Sequence, residues 1–164
     1  MNDELRIAAI AVLDACRARG LTVATAESCT GGLVAGALTE IAGSSDVVDR
    51  GFVTYSNEAK QQMLGVPVQM LREHGAVSQQ TAEAMARGAL GRAGVDLVVA
   101  ITGIAGPDGG SAGKPVGLVH FAAAARSGAL SHAEIRYGEI GRETVRHKSV
   151  LQALMMLKEM AEQG

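Results

Sequence analysis

Thr25-Ala26-Glu27-Ser28-Cys29-Thr30-Gly31-Gly32 sets the architecture of the chain. A short β-rich segment, Leu21 to Ala26, runs straight into small and hydroxyl-bearing residues, and a helical pattern begins near Leu33. The pattern is a strand, a sharp turn and a helix start, with a serine on the turn. Such a turn places a side-chain oxygen beside free backbone N–H groups at a helix N-terminus. Those groups can hold a phosphate or a developing oxyanion. Ser28 therefore has two readings: a nucleophile, or an N-cap, which is the commoner use of Ser before a helix.

Two further runs have the same form. Gly51-Phe52-Val53-Thr54-Tyr55-Ser56-Asn57-Glu58-Ala59-Lys60 reads as a strand ending at Tyr55 and a helix opened by Ser56 or Asn57. Lys60 then falls near the first turn of that helix, close to the strand end. A serine hydroxyl is a weak nucleophile that needs a base, and a desolvated lysine held neutral can serve. Tyr55 can relay a proton or polarise a carbonyl. The bland reading is a solvated helix lysine and a half-buried strand tyrosine. In the third run, Val98-Val99-Ala100-Ile101-Thr102 leads into Gly103-Ile104-Ala105-Gly106-Pro107-Asp108-Gly109-Gly110, a buried strand feeding a glycine loop. Glycines let backbone approach a ligand and form anion-binding nests. No Gly-Lys-Ser/Thr follows in register, and Gly103, Gly106 and Gly110 do not fit G-x-G-x-x-G. Lys114, just past the loop, is either a phosphate contact or a solvated lysine.

The remaining elements follow from periodicity and stop signals. Helices are predicted over Asp3–Arg19, 31–41, 57–64, Ser78–Ala93 and Arg142–Glu162, with a short one after Pro67. Strands are predicted at 21–26, 50–55 and 96–102. Val116–Arg126 and Leu130–Tyr137 read as a hairpin around Ser127-Gly128. Alternating strands and helices imply a three-layer α/β/α domain, and the hairpin makes the mostly parallel sheet mixed. Ser28, Tyr55 and Thr102 all fall at the C-terminal ends of strands, where open α/β sheets bind ligands.

Composition bounds the partners. A single domain over 1–164 is expected from the length. A net charge of −2 gives no basic footprint for nucleic acid, and Phe52, Tyr55, Phe121 and Tyr137 are too few for a base-stacking platform. No apolar run approaches a membrane span, and Asp3, Glu4, Arg6 and Asp14 argue against a signal peptide. Two cysteines, Cys16 and Cys29, favour the cytoplasm over a disulfide framework. His74, His120, His132 and His147 show no paired ligand spacing, so no metal and no cofactor are expected. A homo-oligomer is expected.

Thr25 to Gly32, Gly51 to Lys60, Gly75-Ala76-Val77-Ser78, Thr102 to Pro107 and Gly141-Arg142-Glu143-Thr144-Val145-Arg146 together resemble the C-terminal domain of the competence/damage-inducible CinA proteins. That domain also occurs as a stand-alone nicotinamide-nucleotide amidase. The resemblance runs from about Leu5 to about Met160. It implies a small-molecule substrate, nicotinamide mononucleotide, hydrolysed to nicotinic acid mononucleotide and ammonia. Carried over by position, Ser28 is the nucleophile, Tyr55 and Lys60 activate it, Thr102 is the active-site threonine and Arg142 meets the substrate.

The mechanism expected from these readings is attack by Ser28 after Lys60, directly or through Tyr55, removes its proton. Backbone N–H groups near Ser28 to Gly31 hold the oxyanion. Glu27, Thr30, Gly31, Thr102, Gly103, Ala105, Gly106 and Arg142 are the expected substrate contacts. Glu27 either hydrogen-bonds backbone or tunes Lys60. Cys29 competes as nucleophile, since helix N-termini activate thiolates. The rival functions are a nucleotide-sensing or partner-docking module without catalysis, and an amidohydrolase for a different small amide.

Overall fold

The computed structural model describes residues 1–163. Its elements are α1 (Asp3–Arg17), β1 (Val23–Glu27), α2 (Leu33–Thr39), β2 (Val48–Val53), α3 (Asn57–Leu64), α4 (Val68–His74), α5 (Gln79–Ala93), β3 (Leu97–Gly103), β4 (Leu118–Ala125), β5 (Leu130–Arg136) and α6 (Arg142–Gln163). The strands form one sheet in the order β2-β1-β3-β4-β5. β1 pairs in parallel with β2 and β3, and β4 lies antiparallel to both β3 and β5, so β4 alone runs against the rest. This is the mixed, three-layer α/β/α arrangement expected from the sequence.

β1 and β3 show why the sheet is covered on both faces. Their residues are buried almost without interruption, and alternate side chains feed opposite cores. Val23, Val99, Ile101 and Phe121 join α1, α2 and α6 through Val12, Leu13, Leu38, Leu154 and Leu157. Ala24, Ala26, Val98, Ala100 and Ala122 face α5 through Ala82, Met85, Ala86 and Ala89. The second face is built of small residues, so α5 lies close on the sheet. α5 packs through Ala82, Met85 and Ala89, and α6 through Val150, Leu154, Leu157 and Ala161, apolar stripes at helical spacing.

Most boundaries shift by one or two residues from the sequence reading, and two of the shifts have a physical reason that bears on the site. The helix expected from residue 31 starts at Leu33 instead. Gly31 and Gly32 have φ of +57° and +101°, left-handed values that a helix cannot contain, and they turn the chain instead. The strand expected to reach Tyr55 ends at Val53. Thr54 N–H still reaches the Glu27 carbonyl, but the Thr54 and Tyr55 carbonyls turn to Lys60.

α3, which carries Lys60, is held by its crossing with α5. A Cβ on Gly88 would lie 1.9 Å from the Leu64 carbonyl oxygen, so only glycine permits the crossing. Gly88→Ala is expected to push α3 outward and to cost about 2–3 kcal/mol of stability. Chemical denaturation checks this, and a variant with wild-type stability contradicts it.

Candidate active site

The C-terminal ends of β1, β2 and β3 converge on a cavity of about 200 Å³. Ser28 follows the last residue of β1 and is almost fully buried. Its N–H donates to the Ile101 carbonyl of β3 at 2.9 Å, which fixes the turn to the central strand. Lys60 enters from α3, whose N-cap Ser56 accepts the Ala59 N–H. Its side chain is 1% exposed.

Lys60 Nζ lies 3.0 Å from Ser28 Oγ, 2.9 Å from the Thr54 carbonyl oxygen and 3.3 Å from the Tyr55 carbonyl oxygen. Among the described residues no carboxylate pairs with it. Burial without a counter-charge favours the neutral amine and lowers the Lys60 pKa below its ordinary 10.5. A neutral amine has two N–H donors and one lone pair. The two carbonyls can only accept, so they take the donors and leave the lone pair for the Ser28 hydroxyl proton. In its neutral form the lysine is thereby aimed at the serine as a base.

Cys29 does not share this position. Burial pushes its thiol up to about 12, so it stays protonated near neutral pH and is no competitor for the nucleophile. Tyr55 lines the cavity but is 63% exposed. Its hydroxyl accepts from Arg142 Nη2 at 3.0 Å, and it touches Lys60 only through its backbone carbonyl. The geometry therefore makes no relay through the phenol, and Lys60 meets Ser28 directly. Arg142 opens α6 and also donates from Nη1 to the Gly106 carbonyl at 2.9 Å. The guanidinium spans the mouth of the cavity from the glycine loop to Tyr55.

Thr102, Gly103 and Ala105 line the cavity. The Thr102 hydroxyl donates to the Ala76 carbonyl at 2.8 Å, tying the β3 end to the segment before α5. Glu27, Thr30 and Gly31 do not line it. The Glu27 carboxylate is fully buried behind the turn and accepts from Thr30 Oγ1 at 2.6 Å and from the Val34 and Ala35 N–H groups at 2.9 and 3.0 Å. It caps α2 with a side chain from the preceding strand, so the anion site expected at that helix start is already filled. The Gly31 N–H is also committed, to the Ser28 carbonyl. The Cys29, Thr30 and Gly32 N–H groups make no backbone hydrogen bond among the described residues, and of these three residues Cys29 alone lines the cavity.

The sequence reading gave no role to Asn57, Ala76 or Val77, which line the cavity, or to Arg146. Arg146 donates from Nε to the Cys29 carbonyl at 3.1 Å and from Nη2 to the Thr30 carbonyl at 3.4 Å. Its spacing of four from Arg142 puts both on one face of α6, a signal present in the sequence. Lys114 bonds the His74 carbonyl and does not reach the cavity. His120 is a buried strand residue paired opposite Thr102, but it does not line the cavity, and its Nδ1 lies 2.9 Å from His132 Nε2.

A family model described as the CinA C-terminal domain matches residues 6–161. The nicotinamide-nucleotide amidohydrolase PncC of Escherichia coli strain K12 is 55% identical over 144 residues, 87% of this chain and 86% of that protein. A CinA-like protein of Geobacter sulfurreducens is 53% identical over 142 residues, 87% of this chain but 34% of that protein, so the chain spans about a third of such longer relatives. The crystal structure of the competence/damage inducible protein CihA from Agrobacterium tumefaciens superposes with a TM-score of 0.96 at 56% identity, covering 100% of this chain and 98% of that one. A CinA superfamily protein from Klebsiella pneumoniae gives 0.92 at 38% identity, with full coverage of both chains. With its strand-end site and these likenesses, the chain belongs to the CinA C-terminal domain family.

Proposed function

We propose that this chain is a serine amidase that hydrolyses the carboxamide of nicotinamide mononucleotide, in cytoplasmic pyridine-nucleotide salvage. The observation that carries the chemistry is the buried Lys60 amine, 3.0 Å from Ser28 Oγ and without a counter-charge. What supports the substrate is the similarity to proteins named nicotinamide-nucleotide amidohydrolase, at 51% to 55% identity over 85% or more of both chains.

In the proposed reaction Lys60 takes the Ser28 proton as Oγ bonds to the carboxamide carbon. The resulting ammonium gives that proton to the leaving nitrogen, the C–N bond breaks and ammonia departs, leaving an ester on Ser28. Water then enters, Lys60 removes its proton, and attack on the ester releases the carboxylate while the proton returns to Ser28 Oγ. The N–H of Cys29, which lines the cavity next to Ser28, is the donor left for the oxyanion. Tyr55 and Arg142, joined at the cavity mouth, face the part of the substrate that protrudes. A guanidinium there suits the nucleotide phosphate.

Ammonia release from nicotinamide mononucleotide tests this reading. Ser28→Ala is expected to lower kcat by a factor of about 10⁴ or more. A wild-type protein that releases no ammonia, or a Ser28→Ala variant with the wild-type rate, contradicts it.

Lys60→Met separates activity from stability. The unfolded chain binds the Lys60 proton at the ordinary 10.5 and the folded chain binds it more weakly. As pH falls through 10.5 the unfolded form gains the proton first and is favoured, so burial of this lysine costs stability at neutral pH. Lys60→Met is expected to be inactive yet more stable than wild type at pH 7, with the gap narrowing as pH rises toward 10.5. Denaturation at several pH values checks this. A variant less stable than wild type at pH 7 contradicts it.

A further inference from the structure

Arg146 lies on the far side of the Ser28 turn from the reacting groups. It lines a groove between α1, α2 and α6, which Arg142 also lines, but unlike Arg142 it is absent from the walls of the Ser28 cavity. Its two bonds go to consecutive carbonyls of the turn, those of Cys29 and Thr30.

Residues 28 to 31 form a β-turn closed by the Gly31 N–H on the Ser28 carbonyl at 3.0 Å. Such turns have two common forms that differ by a flip of the central peptide, here Cys29–Thr30. The type II form needs φ above zero at the third residue. Thr30 is β-branched and no residue other than glycine has positive φ, so the turn is of the type I kind. In a trans peptide the C=O and N–H point in opposite directions. With the Cys29 carbonyl on Arg146, the Thr30 N–H points away from α6. That is the side on which a serine at the first turn position can reach the backbone two residues on. Thr30 is fully buried and does not line the Ser28 cavity, whereas Cys29, whose carbonyl belongs to the gripped peptide, lines it, and its N–H makes no backbone hydrogen bond among the described residues.

We infer that Arg146 is a positioning residue for the amidase reaction, gripping the nucleophile turn from behind so that the Cys29 N–H donates to the oxyanion that forms beside Ser28. This rests on the acyl-transfer reading above. It adds a distinction between the two arginines of α6: Arg142 stands at the mouth, where substrate binds, and Arg146 acts only as charge develops.

The test compares wild type, Arg146→Met and Arg146→Lys on nicotinamide mononucleotide, and measures binding of that nucleotide to Ser28→Ala with and without Arg146→Met. In Arg146→Met, kcat is expected to fall by about 10²-fold with KM within about threefold of wild type. Nucleotide affinity in the Ser28→Ala background is expected to stay the same. Arg146→Lys keeps the charge but cannot make the paired contact, and an intermediate kcat is expected. Wild-type kcat in a folded Arg146→Met or Arg146→Lys overturns the inference. So does a loss of nucleotide affinity that accounts for the whole fall in kcat/KM, because it marks a general disturbance of the site. If Arg146→Met does not fold, Arg146→Lys carries the comparison. These results leave the acyl-transfer reading standing as long as Ser28→Ala is inactive, whereas a wild type that releases no ammonia removes both.

Discussion

An uncompensated amine buried beside a serine is the constraint on which the rest of this structure depends. Lys60 is long, flexible and ordinarily charged, and burying it opposes folding unless it is neutral. The fold tolerates it because two strand-end carbonyls, of Thr54 and Tyr55, accept its donors. Those carbonyls are available only because β2 ends at Val53. In the proposed reaction the desolvation that makes the residue costly also makes it a base, which sets stability and reactivity against each other at one side chain.

The scaffold around the pair is arranged to hold it still. Gly88 lets α5 cross against the end of α3, which sets the depth from which Lys60 reaches in. Glu27 closes the start of α2 from β1, so the turn carrying Ser28 is braced by a charged group on the side away from the cavity. Arg146 braces the same turn from α6, the last helix in the chain. Contacts between residues more than a hundred positions apart thus fix a turn of four residues.

Much of this arrangement was legible in the sequence. Apolar runs such as Val98 to Ile101 and stop signals such as Gly94 marked the elements, because buried strands and helix ends leave few alternatives for those residues. Ser28, Tyr55 and Thr102 at three strand ends implied one site, since parallel strands in one sheet bring those ends together. The directions of side chains around a turn were not legible. Glu27, Thr30 and Gly31 flank the serine in sequence, yet alternation along β1 and the left-handed glycine turn them away from the cavity to build the turn itself. The nearness of Tyr55 to Lys60 in sequence allows a relay or a carbonyl-polarising group, and what it does not show is that the phenol reaches Arg142, 87 residues away. Arg146 shows its spacing from Arg142 in the sequence but not its partners, which are 116 and 117 positions distant.

The central claim is that Lys60 is a neutral base by virtue of its burial. The most direct measurement is a titration of its ε-carbon by NMR with lysine labelled at that position, assigned through Lys60→Met. The account predicts that Lys60 titrates below the ordinary 10.5, at the same pH as the ascending limb of kcat/KM for amide hydrolysis. A Lys60 that titrates at or above 10.5 would be a charged structural lysine, and the account would be wrong.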